Sequence, residues 1–172
     1  MMTSIYVIDT SSLTRLRPNN SKSTYDLMVF PGVLDALTKM INDQVLFSSL
    51  LVLEELKDYS STGDKLLDWA LKHKDIFIQP NSDIQMSVRA ILKRFPTWID
   101  VQNNRNDADP FVVATALFLK ATVITEENEV IIQPNTRKIK IPNVCKEYQI
   151  NCCNFLELMR NSGFRFSMIS KS

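Results

Sequence analysis

The sequence predicts an α/β fold with a mainly parallel central sheet covered by helices on both faces. Three observations lead there. The apolar runs at Ile5-Tyr6-Val7-Ile8 and Ala121-Thr122-Val123-Ile124-Thr125 are short and continuous, as strands buried on both faces are. Segments with helical apolar spacing alternate with such runs along the chain. Each of the two runs ends in small hydroxyl residues and acids, Asp9-Thr10-Ser11-Ser12 and Thr125-Glu126-Glu127.

Composition sets the limits. At 172 residues the chain is long enough to bury a real core and is read as a single domain over 1–172. Its 45% apolar and 23% charged residues are those of an ordinary globular protein. A formal net charge of +1 gives no global basic field, so any nucleic acid must be recognised locally. No apolar run approaches the roughly 18 residues of a membrane span, and the start lacks the basic flank and apolar core of a signal peptide. The expectation is a cytoplasmic protein with no membrane partner. Cys145, Cys152 and Cys153 are odd in number and clustered late, which suits reduced thiols better than a disulfide framework. Zinc is not expected, because CxxC spacing is missing and the single histidine, His73, lies far away in a Lys-rich segment.

The first strand ends at Asp9, which either caps the next helix or stands at the rim where open α/β sheets place their sites. Thr14 to Tyr25 is polar, holds Pro18, and reads as a loop. Pro31 opens a helix through Val33, Leu34, Leu37, Met40 and Ile41. Val45-Leu46-Phe47 reads as a second strand ended by Ser48 and Ser49. A helix follows from Leu50 to Tyr59, in which Val52, Glu55, Leu56 and Tyr59 share one core-facing stripe. Glu54 falls about 100° away, beside Lys57 and Asp58, and reads as solvated. A carboxylate on an apolar face is costly unless paired or metal-bound, so Glu55 is the informative acid of the pair.

Gly63 precedes a helix from Asp64 to Lys74, packed through Leu66, Leu67, Ala70 and Leu71. Ile76-Phe77-Ile78 is a short strand stopped by Pro80. Ser82 or Asp83 caps a helix through Ile84, Val88, Ile91 and Leu92 to Phe95. Its Arg89, Lys93 and Arg94 read as a solvated face in preference to a nucleic-acid contact. Val101 to Asp109 is polar, and Pro110 suits the first turn of a helix from Phe111 to Lys120. Asp109, Val112, Val113 and Ala116 make its buried stripe. Asp109 is either a plain N-cap or, with Asp107 competing for that cap, an acid available to a site. After the Ala121–Thr125 strand come short pieces at Val130 to Ile132 and Ile139-Lys140-Ile141, then a helix near Asn143 to Tyr148. A last helix runs through Phe155, Leu156, Leu158 and Met159. Arg137, Lys138 and Lys140 form the densest local positive charge.

In this architecture Asp9, Glu55, Asp109 and Glu127 are all able to face one cleft at the strand ends. Two carboxylates about 5 Å apart repel by roughly 3 kcal/mol at an effective dielectric near 20. Such a cluster requires raised pKa values or a divalent cation. Oxygen ligands without His or Cys suit magnesium or manganese (Mg2+ or Mn2+), ions that activate water against a phosphoryl centre. Thr10, Ser11 and Thr125 are hydroxyl donors placed to hold those carboxylates or a ligating water.

The chain resembles a PIN domain, specifically the VapC-like ribonucleases of type II toxin–antitoxin modules, and within them a subgroup of the DUF4411 type. The resemblance rests on Val7-Ile8-Asp9-Thr10-Ser11-Ser12-Leu13, Glu55-Leu56, Asp109-Pro110-Phe111-Val112-Val113-Ala114-Thr115-Ala116, Val123-Ile124-Thr125-Glu126-Glu127 and Ile141-Pro142-Asn143-Val144-Cys145. It implies a three-layer α/β/α sandwich and metal-dependent endonucleolytic cleavage of RNA. It implies Asp9, Glu55 and Asp109 as the first three catalytic, metal-binding acids. Glu127 stands where the family's fourth acid is most often Asp, with Glu126 adjacent to it. An antitoxin partner and a homodimer are further implications.

The sequence thus leads to a single-strand-directed endoribonuclease. The competing reading is a catalytically weak or inactive PIN-like module that binds RNA or protein. A phosphotransferase with Asp9 as nucleophile, as in haloacid-dehalogenase-like phosphatases, wants a second Asp two residues on. Ser11 stands there instead.

Overall fold

The short apolar runs build the centre of the molecule. In the computed structural model, which describes residues 4–18, 23–99, 108–132 and 139–165, β1 (Tyr6–Ile8) is buried along its whole length. It pairs in parallel with β2 (Leu46–Ser49) on one side and β4 (Thr122–Ile124) on the other. Two-residue strands complete the edges, β3 (Phe77–Ile78) beside β2 and β5 (Cys152–Cys153) beside β4. The order is β3-β2-β1-β4-β5, all parallel. Parallel strands need crossovers, and helices supply them on both faces, giving the three-layer α/β/α sandwich expected.

The helices follow the apolar spacing closely. They are α2 (Val33–Asn42), α3 (Leu50–Asp58), α4 (Lys65–Lys72), α5 (Ser82–Arg94), α6 (Asp109–Leu119), α7 (Ile141–Glu147) and α8 (Phe155–Asn161), with a one-turn α1 (Thr10–Thr14) before them. The α6 helix lies on β1, β2 and β4 and packs against α5 and α7. Val112, Val113, Ala114, Thr115 and Ala116 are accordingly all buried, which is why this helix is apolar around its circumference. It stops at Lys120 in a left-handed conformation (φ 53°). The amide of Ala121 there returns to the Ala116 carbonyl in a Schellman turn that leads straight into β4.

Several expectations change. Thr14, read as the start of a loop, ends the one-turn α1, which the Asp9 carboxylate caps by accepting from the Ser12 amide. Ser48 and Ser49 lie inside β2 instead of ending it, and the buried Ser48 hydroxyl donates to the Ile8 carbonyl at 2.7 Å. Asn81, not Ser82 or Asp83, caps α5 through the Ile84 amide. Trp69 joins Leu66 and Ala70 in the buried face of α4. Tyr59, placed by helical phase on the core stripe of α3, is 59% exposed. Residues 130–132 form no regular element, Ile141 opens α7, and β5 has no counterpart in the sequence pattern.

All three cysteines are free thiols, Cys145 buried and Cys153 half-buried. Arg89, Lys93 and Arg94 lie exposed, Arg94 pairing with Glu147. Among the described residues no helix is long and apolar enough to cross a membrane. Asp107, Arg137, Lys138, and parts of the Thr14–Tyr25 and Val101–Asp109 segments lie outside the described residues.

Candidate functional site

The strand order reverses between β1 and β4, since β2 and β3 extend one way and β5 the other. In open parallel sheets ligands bind in the crevice outside the carboxyl ends at such a switch point. Asp9 follows β1 and Thr125 follows β4, so both stand at that crevice. The cleft there has a volume of about 580 Å3. It is lined by Asp9, Thr10, Ser11, Thr14, Arg17, Glu55, Tyr59, Asp109 and Glu127. All four acids singled out from the sequence therefore share one cavity, drawn from β1, α3, α6 and the segment after β4.

Asp9 is the deepest of them, 2% exposed. Its Oδ1 accepts from the Ser12 amide at 2.8 Å, and its Oδ2 accepts from the Thr125 hydroxyl at 2.7 Å. The Ser11 hydroxyl reaches both oxygens, at 2.8 and 3.1 Å. Asp9 is thus both cap and rim acid, and the two readings of it are compatible. Burial pushes its pKa up to about 6, against the downward pull of the bonds from Thr125, the Ser12 amide and Ser11.

Glu55 reaches the cleft from α3, half-buried as an acid on an apolar face should be. One of its oxygens accepts from the Thr10 hydroxyl. The other accepts from the Ala108 amide at 3.0 Å, at the entrance to α6. Ala108 has no side chain to cap that helix, so the carboxylate of α3 is bound to its entry instead. Asp109 follows in the first turn, half-buried and followed by Pro110. There the helix dipole favours negative charge.

Glu127 is placed differently. It lines the cleft, yet one of its oxygens pairs with the Lys140 ammonium and the other accepts from the Ile141 amide at 3.0 Å, at the start of α7. Glu126 turns away, its carboxylate accepting from the Phe155 amide at the start of α8, 2.9 Å distant. Of the adjacent pair, Glu127 is the one in the cavity. Thr10 donates to Glu55, while Ser11 and Thr125 donate to Asp9.

Arg17, Thr14 and Tyr59 complete the lining and escaped the sequence reading. Arg17 sits in what reads as a loop, and only its ion pair with Asp64 at 2.8 Å and its bond to the Leu56 carbonyl at 2.9 Å fix it there. Tyr59 carried a signal, its position four residues after Glu55 on the same face. A cavity of about 670 Å3 between residues 129–132 and α7 is larger. Its two acids are each neutralised by a base, Glu129 by Lys146 and Glu147 by Arg94. It offers no uncompensated carboxylate chemistry. Among the described residues, no group of three or more His, Cys, Asp or Glu side chains is placed to hold a metal ion.

The family model of a domain of unknown function, DUF4411, matches residues 6–166. The chain belongs to the DUF4411 family. The match runs from the start of β1 past the end of α8, so every cleft-lining residue of this DUF4411 chain falls inside it. No curated protein matches the chain.

Proposed function

We propose that this DUF4411 chain is a PIN-like, metal-dependent endoribonuclease that hydrolyses RNA phosphodiester bonds. In this reading it is the toxin of a type II toxin–antitoxin module, acting in the cytoplasm. A single observation carries the reading: Asp9, Glu55, Asp109 and Glu127, spread over most of the sequence, line one cleft at the switch point of a parallel sheet. The donor set is all oxygen, which fits magnesium or manganese. Magnesium commonly keeps several waters and takes only one or two carboxylates, so a loosely spaced set of acids fits it better than a closed cage would. Asp9, Glu55 and Asp109 are the residues that would hold it.

The chain's own contribution is placement. Ser11, Thr125 and the Ser12 amide hold the Asp9 carboxylate in one orientation, and Thr10 with the Ala108 amide does the same for Glu55. Such an ion, when bound, polarises a phosphoryl oxygen and activates water for in-line attack. Asp9 itself is removed from bulk water, which strengthens charge interactions at its carboxylate.

The second reading, a binding module with weak or no catalysis, is favoured by Glu127, whose oxygens are occupied by Lys140 and the Ile141 amide. The two separate in one experiment: cleavage of labelled single-stranded RNA with manganese, alongside a calorimetric titration of the ion. The nuclease binds manganese and cuts, and Asp9→Asn stops the cutting without unfolding the protein. Undiminished cleavage by Asp9→Asn overturns the nuclease reading. Absence of both manganese binding and cleavage establishes the module.

A further inference from the structure

The rim of the cleft carries an aromatic ring that its helix does not bury. Tyr59 terminates α3, and its amide bonds back to the carbonyls of Glu55 and Lys57, so its backbone is tied to the helix that presents Glu55. Helical phase puts Tyr59 on the side of Val52 and Leu56, both fully buried, yet Tyr59 is 59% exposed and lines the carboxylate cleft. A lone exposed aromatic is ordinary on a protein surface. This one is the aromatic residue among those lining the cavity, one helical turn from an acid of the site.

The same wall holds a guanidinium whose charge is balanced by Asp64. Acids in the cleft repel a phosphodiester backbone, and Arg17 is the basic residue among those lining the cavity. Its Nε bonds Asp64 and its Nη2 bonds the Leu56 carbonyl, which orient a guanidinium whose side chain is only 12% exposed. A guanidinium carries five N–H donors in a planar fork suited to phosphate oxygens. Leu56 and Tyr59 belong to the same end of α3, so Arg17 and Tyr59 both stand at that end of the helix.

We infer that Tyr59 and Arg17 form a nucleotide subsite beside the acids, in which the Tyr59 ring stacks on an unpaired base of single-stranded RNA and Arg17 meets the adjoining phosphate. Stacking on an aromatic ring accepts any base but requires it to be unpaired. The subsite therefore selects single strands over duplex. This deepens the proposed ribonuclease reading and rests on it for the identity of the ligand.

The test uses binding without turnover. The full chain carrying Asp9→Asn is titrated with a fluorescein-labelled octaribonucleotide of adenosine, in magnesium, by anisotropy. Adding Tyr59→Ala weakens binding about tenfold, whereas Tyr59→Trp or Tyr59→Phe stays within about threefold of the parent. A duplex of the same length binds weakly and is insensitive to Tyr59. Arg17→Gln lowers the slope of log affinity against log salt by about one phosphate contact. Urea unfolding confirms that each variant is folded, and Tyr59→Ala alone serves where Arg17→Gln is not. In the otherwise native protein, Tyr59→Ala raises KM and leaves kcat near its starting value. Equal oligonucleotide affinity for Tyr59→Ala and its parent overturns the subsite, as does no binding by the parent. Tyr59-dependent binding without any cleavage keeps the subsite and removes the nuclease. Cleavage indifferent to Tyr59 does the reverse.

Discussion

Thr125 donates its hydroxyl to the Asp9 carboxylate at 2.7 Å, across 116 residues of sequence. Sheet register brings them together. Ile8 lies opposite Ile124 in the parallel pair of β1 and β4, and the Asp9 amide bonds the Ile124 carbonyl at 3.0 Å, so the next residues of both strands emerge side by side. The deepest acid of the cleft is thus oriented by the neighbouring strand as well as by its own helix cap.

Thr125→Val removes that donor and also the acceptor for the Glu127 amide at 3.1 Å. A buried carboxylate that loses one hydrogen bond costs about 1–3 kcal/mol. Thr125→Val is expected to lower the urea unfolding midpoint accordingly, with Thr125→Ser restoring most of the loss. Equal midpoints for Val and native protein would show that the bond contributes nothing.

The pH dependence of stability follows from Asp9. Burial raises its folded pKa to about 6 from the ordinary 3.8, so the folded protein binds the proton more tightly than the unfolded chain. The stabilisation is complete below about pH 4 and is lost as pH rises to about 6, after which it is flat. The difference of about two pH units corresponds to about 3 kcal/mol. Asp9→Asn removes the cost of a buried charge. In the absence of divalent ions it should be more stable than the native protein at pH 8, with the gap closing toward pH 4. Denaturant unfolding at the two pH values checks this, and a gap independent of pH refutes it.

Thr10 holds Glu55 from the start of α1. Thr10→Val is expected to lower kcat for RNA cleavage by about tenfold, with stability falling by about 1 kcal/mol and Thr10→Ser recovering both. Steady-state kinetics on a labelled single strand measure it. Loss of stability with unchanged kcat would leave Thr10 a purely structural donor.

Glu127 is engaged at both oxygens, by Lys140 and by the Ile141 amide that opens α7. Glu127→Gln is therefore expected to reduce cleavage far less than Asp9→Asn. It should cost about 0.5–1 kcal/mol of stability, the usual worth of an anion at a helix N-terminus. Parallel rate and unfolding measurements on the two variants decide it. Rates equally low in both would mean that Glu127 leaves Lys140 to serve the reaction.

The legible parts of the fold were those with a strong period or a hard stop. The helices from Val33 to Leu119 show apolar residues at helical spacing, and β1 and β4 are continuous apolar runs ended by acids or hydroxyls. The α1 helix has no such signal, because Thr-Ser-Ser-Leu-Thr is a poor helix former held by the Asp9 cap and by burial of Leu13. Asn81, Ser82 and Asp83 are three adjacent residues able to cap, and only the Ile84 amide chooses among them. The β5 strand is two residues of an edge, too short for any pattern, and exists through its pairing with β4.

The local sequence determined which residues are acids at the ends of apolar elements, and so which four side chains were available to a site. It also carried the alternation of strand and helix that requires a parallel sheet. Tertiary structure decided that β1 and β4 are neighbours at a switch point, that Glu127 is bound to Lys140, and that Tyr59 faces the cleft instead of the core. The physical reason is range. Periodicity and capping act over one or two turns of chain, whereas the partner that orients Asp9 is set by register between strands over a hundred residues apart in sequence.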